Sequence, residues 1–163
     1  MYAMYEEQDD TCDFKIFNSY GYAKKIHTVM LKLYGGIVFK SLLSQSLKEK
    51  HTKELQLNYS GDVIEHFIAY LYLGVEDLFE RLKDSKELDL FGLYDLALTY
   101  QIDSLIDCCF NLLNLHAKSI NLEDLINFIG KFQTHDHTKD LIQIQNRLLQ
   151  EKANKKVLIV GLD

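Results

Sequence analysis

The chain has 163 residues, 47% of them hydrophobic and 26% charged, with a net charge of −6. This is ordinary globular composition, far from the disordered class, and the length suits one domain, or one domain plus an appendage, with a core that needs no disulfide or metal staple. Lys and Arg are scattered without a basic, aromatic-interleaved stripe, the acidic start Met1 to Asp10 has no apolar leader, and no run of about eighteen apolar residues occurs, so nucleic-acid, secreted and membrane-spanning classes are all disfavoured.

Residues 1–11 read as a polar tail. Asp13-Phe14-Lys15-Ile16-Phe17 alternates with the period of a strand, Asn18-Ser19-Tyr20-Gly21 carries turn chemistry, and Tyr22 to Ile26 returns as the second arm of a hairpin. After His27 the period becomes helical, with Val29, Met30 and Leu33 as one apolar face. Gly35-Gly36 breaks the run, and Ile37 to Leu43 restarts it as a second short helix. Ser44 to Lys53 is polar apart from Leu47 and reads as an exposed connection. Glu54-Leu55-Gln56-Leu57 alternates again as a third strand.

Asp62 is placed to cap the next helix, with Glu65 as its capping-box partner, Val63, Ile64, Phe67 and Leu71 as the buried stripe, and Gly74 as the C-cap. Residues 76–88 are charged and loop-like, with room for one helical turn. Leu90, Leu93, Tyr94, Ala97 and Tyr100 mark a further helix. Asp103 starts another that turns Leu105, Ile106, Cys109, Leu112 and Leu113 inward. A helical pair closes the pattern. Asn121 caps Leu122 to Lys131, with Leu122, Leu125, Ile126 and Ile129 inside; Thr134 to Thr138 turns; Leu141, Ile144, Leu148 and Leu149 line the last helix. Strands come early and helices surround them, which predicts an α+β fold: a small sheet of short strands flanked by helices, then a C-terminal helical hairpin. No internal repeat, low-complexity segment or linker to a second domain is visible.

That order, with these residues, resembles the BTB/POZ family. Cys12-Asp13-Phe14-Lys15-Ile16 stands where the family has its opening strand, and His27-Thr28-Val29-Met30-Leu31 where a histidine follows the hairpin. Phe39 matches the family's anchoring phenylalanine. Tyr70-Leu71-Tyr72-Leu73-Gly74 is similar to its Tyr-hydrophobic-Tyr-x-Gly helix end, and Ala97, Tyr100, Ile102 and Cys109 keep the spacing of a later helix pair. The resemblance covers residues 12–115. It departs from the family in the start of the second helix, here Gly36-Ile37-Val38-Phe39. It departs again in the polar residues 1–11, where dimeric members carry a full helix, which puts homodimerisation in doubt.

The resemblance implies a protein-interaction module and not an enzyme, placed in the cytoplasm or nucleus of a eukaryotic cell. Family members that recruit the third cullin type use a hydrophobic-x-Glu motif between the paired helices and the third strand. Leu47-Lys48-Glu49 occupies that segment, and Tyr72 stands where the family places a tyrosine near the cullin surface. An exposed apolar knob beside a carboxylate suits docking, although a Leu folded onto the core with a solvated Glu is the plainer reading, as is a core role for Tyr72. Residues 119–151 resemble the three-box hairpin of cullin adaptors, leaving 1–11 and 152–163 as tails. The expected partners are a cullin N-terminal domain, other BTB chains or a second copy. Without a substrate-recognition domain the chain is an adaptor that brings a target on its own surface or a competitor for the scaffold, a role suited to a pathogen or viral protein. The alternative is a BTB oligomerisation module with no cullin role.

Sharper chemistry finds little support. The three cysteines, Cys12, Cys108 and Cys109, are odd in number and two are adjacent, which fits reduced thiols and not a disulfide framework. His135-Asp136-His137, with His116, is a thin basis for a metal, and Cys108 and Cys109 point about 100° apart on a helix. Gly35-Gly36 lacks phosphate-loop spacing, and neither a nucleophile elbow nor HExxH is present. No cofactor and no metal is expected. A small enzyme with dispersed catalytic residues is the remaining class, to be revived only by a deep polar pocket with shifted pKa values. Val157-Leu158-Ile159-Val160 is a short apolar patch whose role stays open.

Overall fold

A computed structural model of the chain describes residues 10–44, 51–85, 89–117, 119–132 and 138–160. Among these, three strands and eight helices follow one another: β1 (Phe14–Phe17), β2 (Ala23–Ile26), α1 (Thr28–Tyr34), α2 (Gly36–Ser44), β3 (Glu54–Gln56), α3 (Gly61–Leu73), α4 (Val75–Leu82), α5 (Leu90–Thr99), α6 (Asp103–Leu115), α7 (Leu122–Lys131) and α8 (Thr138–Val160). The class is α+β.

The sheet is small and mixed, in the order β2-β1-β3. β1 pairs antiparallel with β2, Phe14 opposite Ile26 and Phe17 opposite Ala23. It pairs parallel with β3, Ile16 opposite Leu55. A parallel neighbour needs a crossover, and α1 and α2 lie within it. Only one face of the sheet is buried: Phe14, Ile16, Ile26 and Leu55 point into the core. Lys15 reaches across the other face to Glu54 at 3.3 Å. The hairpin turn is closed by Asn18. Its Oδ1 accepts from the amides of Tyr20 and Tyr22, both at 2.9 Å, and its Nδ2 donates to the Tyr59 carbonyl. A buried Asn is thereby fully engaged.

Phe39 is the centre of the helical layer. It stacks on Tyr100 with centroids 4.3 Å apart and on Phe67 at 5.5 Å, so α2, α3 and the end of α5 share one aromatic column. The end of α5 is a Schellman motif: Ile102 N–H bonds to the Ala97 carbonyl and Gln101 N–H to that of Leu98. Gln101 takes the left-handed position usually given to glycine, at φ 53°. Gly36 sits against this turn at φ 79°. A Cβ there would lie 2.7 Å from the Gln101 carbonyl oxygen and 2.9 Å from that of Tyr100. Glycine is therefore required at the start of α2 by conformation and by space alike.

Several local expectations need correction. The N-cap of α3 is Ser60, whose side chain accepts from Val63 N–H, and not Asp62. Glu65 accepts a hydrogen bond from the Tyr22 hydroxyl and pairs with Lys24 at 2.5 Å, fastening β2 to α3. Residues 76–88 read as loop-like with at most one helical turn, whereas Val75–Leu82 form the full two turns of α4. Its heavy charge hid a two-residue apolar stripe, Leu78 and Leu82, one turn apart and both buried. The inward residues of α1 are Met30 and Leu31, while Val29 and Leu33 are 52% and 57% exposed.

The chain divides into two compact units, residues 1–109 and 110–163, with the division inside α6. In the second unit α7 and α8 pack on each other through Leu125, Phe128 and Ile129 and through Leu141, Ile144 and Leu148. Asn121 caps α7 as expected, accepting from Glu123 N–H at 2.9 Å. Ile126 and Leu149, expected inside, are exposed. They fall off the 125/128/129 and 141/144/148 faces, and Phe128 takes the inner place. The backbone of α8 stays helical through Val160, beyond the hairpin limit of 151 and across the 157–160 patch.

Candidate functional site

Two features of the first unit stand out: a buried polar lock around His27 and an open groove lined by apolar and polar side chains alike. The lock begins at the end of β2, where His27 is buried. Its backbone N–H donates to the Tyr72 hydroxyl oxygen at 2.9 Å, and its Nδ1 lies 2.7 Å from the same hydroxyl. Thr11 Oγ1 is 2.8 Å from Nε2, and Cys12 Sγ is 3.8 Å from Nδ1. The two short contacts fit the tautomer with its proton on Nε2, the Tyr72 O–H donating to Nδ1. One residue on, the Asp13 carboxylate accepts from Thr28 N–H at 2.8 Å, from Thr28 Oγ1 at 2.9 Å and from Lys53 Nζ at 2.9 Å. Partial desolvation of Asp13 pulls its pKa up. The Thr28 amide, the Lys53 ammonium and the Thr28 hydroxyl outweigh it and hold the carboxyl at about 2. Cys12-Asp13 and His27-Thr28 are thus stitched together at the point where the sheet hands over to α1.

Tyr72 is 2% exposed, and burial pushes its hydroxyl pKa up. Its place is under His27, where it supports the β2–α1 junction and offers almost no surface to a partner. Leu47, Lys48 and Glu49 lie outside the described residues, as do His135, Asp136 and His137.

The groove is an open depression of about 720 Å³. Its floor is Gly36, Tyr70 and Ile102, its apolar wall is Leu33, Tyr34 and Ile37, and Lys40, Gln101, Asp103 and Ser104 supply the polar rim. Tyr70 fixes the shape: its hydroxyl donates to the Tyr34 carbonyl at 3.3 Å and lies 2.7 Å from Ser104 Oγ, tying the end of α1 to the start of α6. Burial raises the Tyr70 pKa, so this hydroxyl stays protonated across the ordinary pH range. Ile37 and Tyr34 are 64% and 44% exposed. With Leu33 they form an exposed apolar wall, while α1 and α2 anchor themselves in the core through Met30, Leu31, Phe39 and Leu43.

The sequence grouped Leu33 with Val29 and Met30 as one apolar face and gave Ile37 only as the start of a second short helix, and so missed this wall. The available clue was angular: at about 100° per residue, positions 29 and 33 lie on a different side of a helix from 30 and 31, so both pairs cannot face one core.

Among the described residues no three His, Cys, Asp or Glu side chains gather as metal ligands. Cys108 and Cys109 are both buried, which pushes the Cys108 thiol up to about 11 and that of Cys109 well above its ordinary value. Such thiols are poor nucleophiles. No helix among the described residues is long and apolar enough to cross a membrane. The family-model comparison gives no match, and no curated protein matches the chain.

Proposed function

We propose that the chain is a BTB/POZ-type interaction module that docks on the N-terminal domain of a cullin scaffold. The observation that carries this is the apolar wall of Leu33, Tyr34 and Ile37 over a rigid floor. Burying two such side chains against a partner contributes about 1.5–3 kcal/mol each before association costs. The element order supports the family reading: a hairpin, two short helices, a third strand parallel to the first, then helices. So does the connectivity of the groove. α2 supplies Ile37 and Lys40 and ends at Ser44, and Leu47-Lys48-Glu49 follow three residues later in the chain. In this reading Leu47 and Glu49 add an apolar knob and a carboxylate to the contact made by the wall, and Tyr72 holds the scaffold that presents it.

The test is calorimetric binding of the purified chain to the N-terminal domain of the third cullin type. Alongside run a Leu47→Ala, Glu49→Ala variant and a Leu33→Ser, Ile37→Ser variant. Binding weakened at least tenfold by both variants supports the proposal. A folded wild-type chain that does not bind overturns it.

A second reading is favoured by Val29, exposed on the same face of α1 as Leu33: the apolar surface pairs two copies of the chain or pairs it with another BTB chain. Sedimentation of the wild type and of Val29→Ser, Leu33→Ser separates the two, since only this reading needs a concentration-dependent dimer that the variant loses.

A further inference from the structure

The chain enters the fold at the foot of α1. Thr11 Oγ1 lies 2.8 Å from His27 Nε2, and the Asp13 carboxylate accepts from the Thr28 amide and hydroxyl. Above that foot the outer side of α1 carries Val29 and Leu33, 52% and 57% exposed, and Leu33 shares the groove with Ile37. Lys32 stands beside Val29 and Leu33 on the same side, exposed and in none of the ion pairs among the described residues. The residues ahead of Thr11 have a matching order. Counting back from the foot, Asp10, Asp9, Glu7 and Glu6 come first, and Tyr5, Met4, Tyr2 and Met1 follow. A segment laid along α1 from its foot therefore brings carboxylates to Lys32 and then aromatic and thioether side chains to Leu33 and Ile37. The lengths agree. α1 has seven residues, a rise of about 10 Å. The nine residues ahead of Asp10 span about 14 Å as a helix and about 30 Å extended. Tethered this closely, they meet the wall at an effective concentration on the order of millimolar, an advantage no free partner has.

We infer that residues 1–5 dock in cis on the wall of Leu33 and Ile37, with the carboxylates of residues 6–10 along Lys32, so that the chain masks its own apolar surface. The masking rests on that wall being the docking surface and adds its regulation: a partner binds only by displacing the segment. A segment seated about nine-tenths of the time lowers the apparent affinity for a partner about tenfold.

The contact is tested in the full chain with the photoreactive p-benzoylphenylalanine in place of Tyr5. Trypsin cuts after Lys32 and Lys40, so the wall lies in the peptide of residues 33–40. Attachment to that peptide in the monomer band, unchanged by dilution, is expected. Attachment confined to a dimer band gives the wall to a second copy and overturns the inference, as does attachment only to other peptides or none at all. The masking is tested by calorimetry with the N-terminal domain of the third cullin type. Tyr2→Ser, Met4→Ser, Tyr5→Ser is expected to raise affinity about tenfold. Glu6→Lys, Glu7→Lys raises it by a smaller factor that vanishes at high salt. Cullin binding of equal strength in wild type and variants overturns the masking and leaves the cullin proposal standing. Attachment to the 33–40 peptide in a chain that binds no cullin, with or without the substitutions, does the reverse: the cis contact stands and the cullin proposal falls.

Discussion

Replacing Tyr72 by Phe isolates the lock at the β2–α1 junction. The ring stays and packs as before, so no large cavity is made. What is lost is a hydroxyl that accepts the His27 amide at 2.9 Å and serves Nδ1 at 2.7 Å. Both groups are left buried, and an orphaned buried donor or acceptor costs about 1–3 kcal/mol. Cys12 Sγ, 3.8 Å from Nδ1, recovers part of the ring's loss, since sulfur is a weak partner. The sum is a destabilisation of about 2–4 kcal/mol, equivalent to a melting-temperature drop of roughly 4–16 °C for a chain of this size. Urea unfolding followed by circular dichroism measures the free energy. Amide hydrogen exchange at His27 reports the local event, with protection falling by about 10²-fold if ~3 kcal/mol is lost there. Partner affinity per folded molecule stays at the wild-type value, because the ring never reached the surface. An unchanged midpoint together with unchanged His27 protection refutes the lock. A folded, stable variant that loses binding refutes the claim that Tyr72 acts from beneath.

Three further outcomes follow from the same geometry. Gly36→Ala meets two backbone carbonyl oxygens closer than 3.0 Å at a positive φ, so it destabilises by more than about 2 kcal/mol in urea unfolding. Gln101→Gly relieves a left-handed residue within an intact Schellman turn and stabilises by about 0.5–1 kcal/mol, seen as a raised urea midpoint. Asp13 has a folded pKa of about 2 against an ordinary 3.8, so its contribution is fully present above pH 3.8 and disappears as pH falls through 2. Its side chain is half exposed, which reduces the contribution at neutral pH to about 1 kcal/mol. Asp13→Asn therefore lowers stability by that amount at pH 7 and converges with the wild type near pH 2 in acid unfolding curves.

The sequence was most readable where a single period or a single turn residue decided the outcome. β1 alternates cleanly, Asn18 and Gly21 announce the hairpin, Gly74 stops α3 at φ 86°, and Asn121 caps α7. It was least readable where two answers shared one pattern. Ser60 and Asp62 are both good caps, and only the direction in which the chain enters α3 gives the place to Ser60. In α4 four charged residues among eight looked like loop, yet Leu78 and Leu82 alone suffice to seat it. In α1 every apolar residue looked like core, and which of them faces out depends on where the sheet and α3 lie, a tertiary fact absent from local spacing. The lock was half visible: His27 and Tyr72 were singled out by resemblance, but that they touch needed the fold.

α1 and α2 carry two apolar faces, one buried in the core and one exposed. Phe39 holds α2 in the aromatic column, and Gly36 lets the start of α2 approach the 100–102 turn closely enough for α1 and α6 to share Tyr70. These inward contacts fix the outer face to within side-chain freedom before any partner arrives. In the proposed docking reading, a partner seated on Leu33 and Ile37 would avoid the ordering cost that a mobile surface imposes. The same arrangement gives His27 and Tyr72 a structural place beneath this face. They anchor the residue from which α1 springs, and α1 ends in two of the three apolar side chains that make the wall.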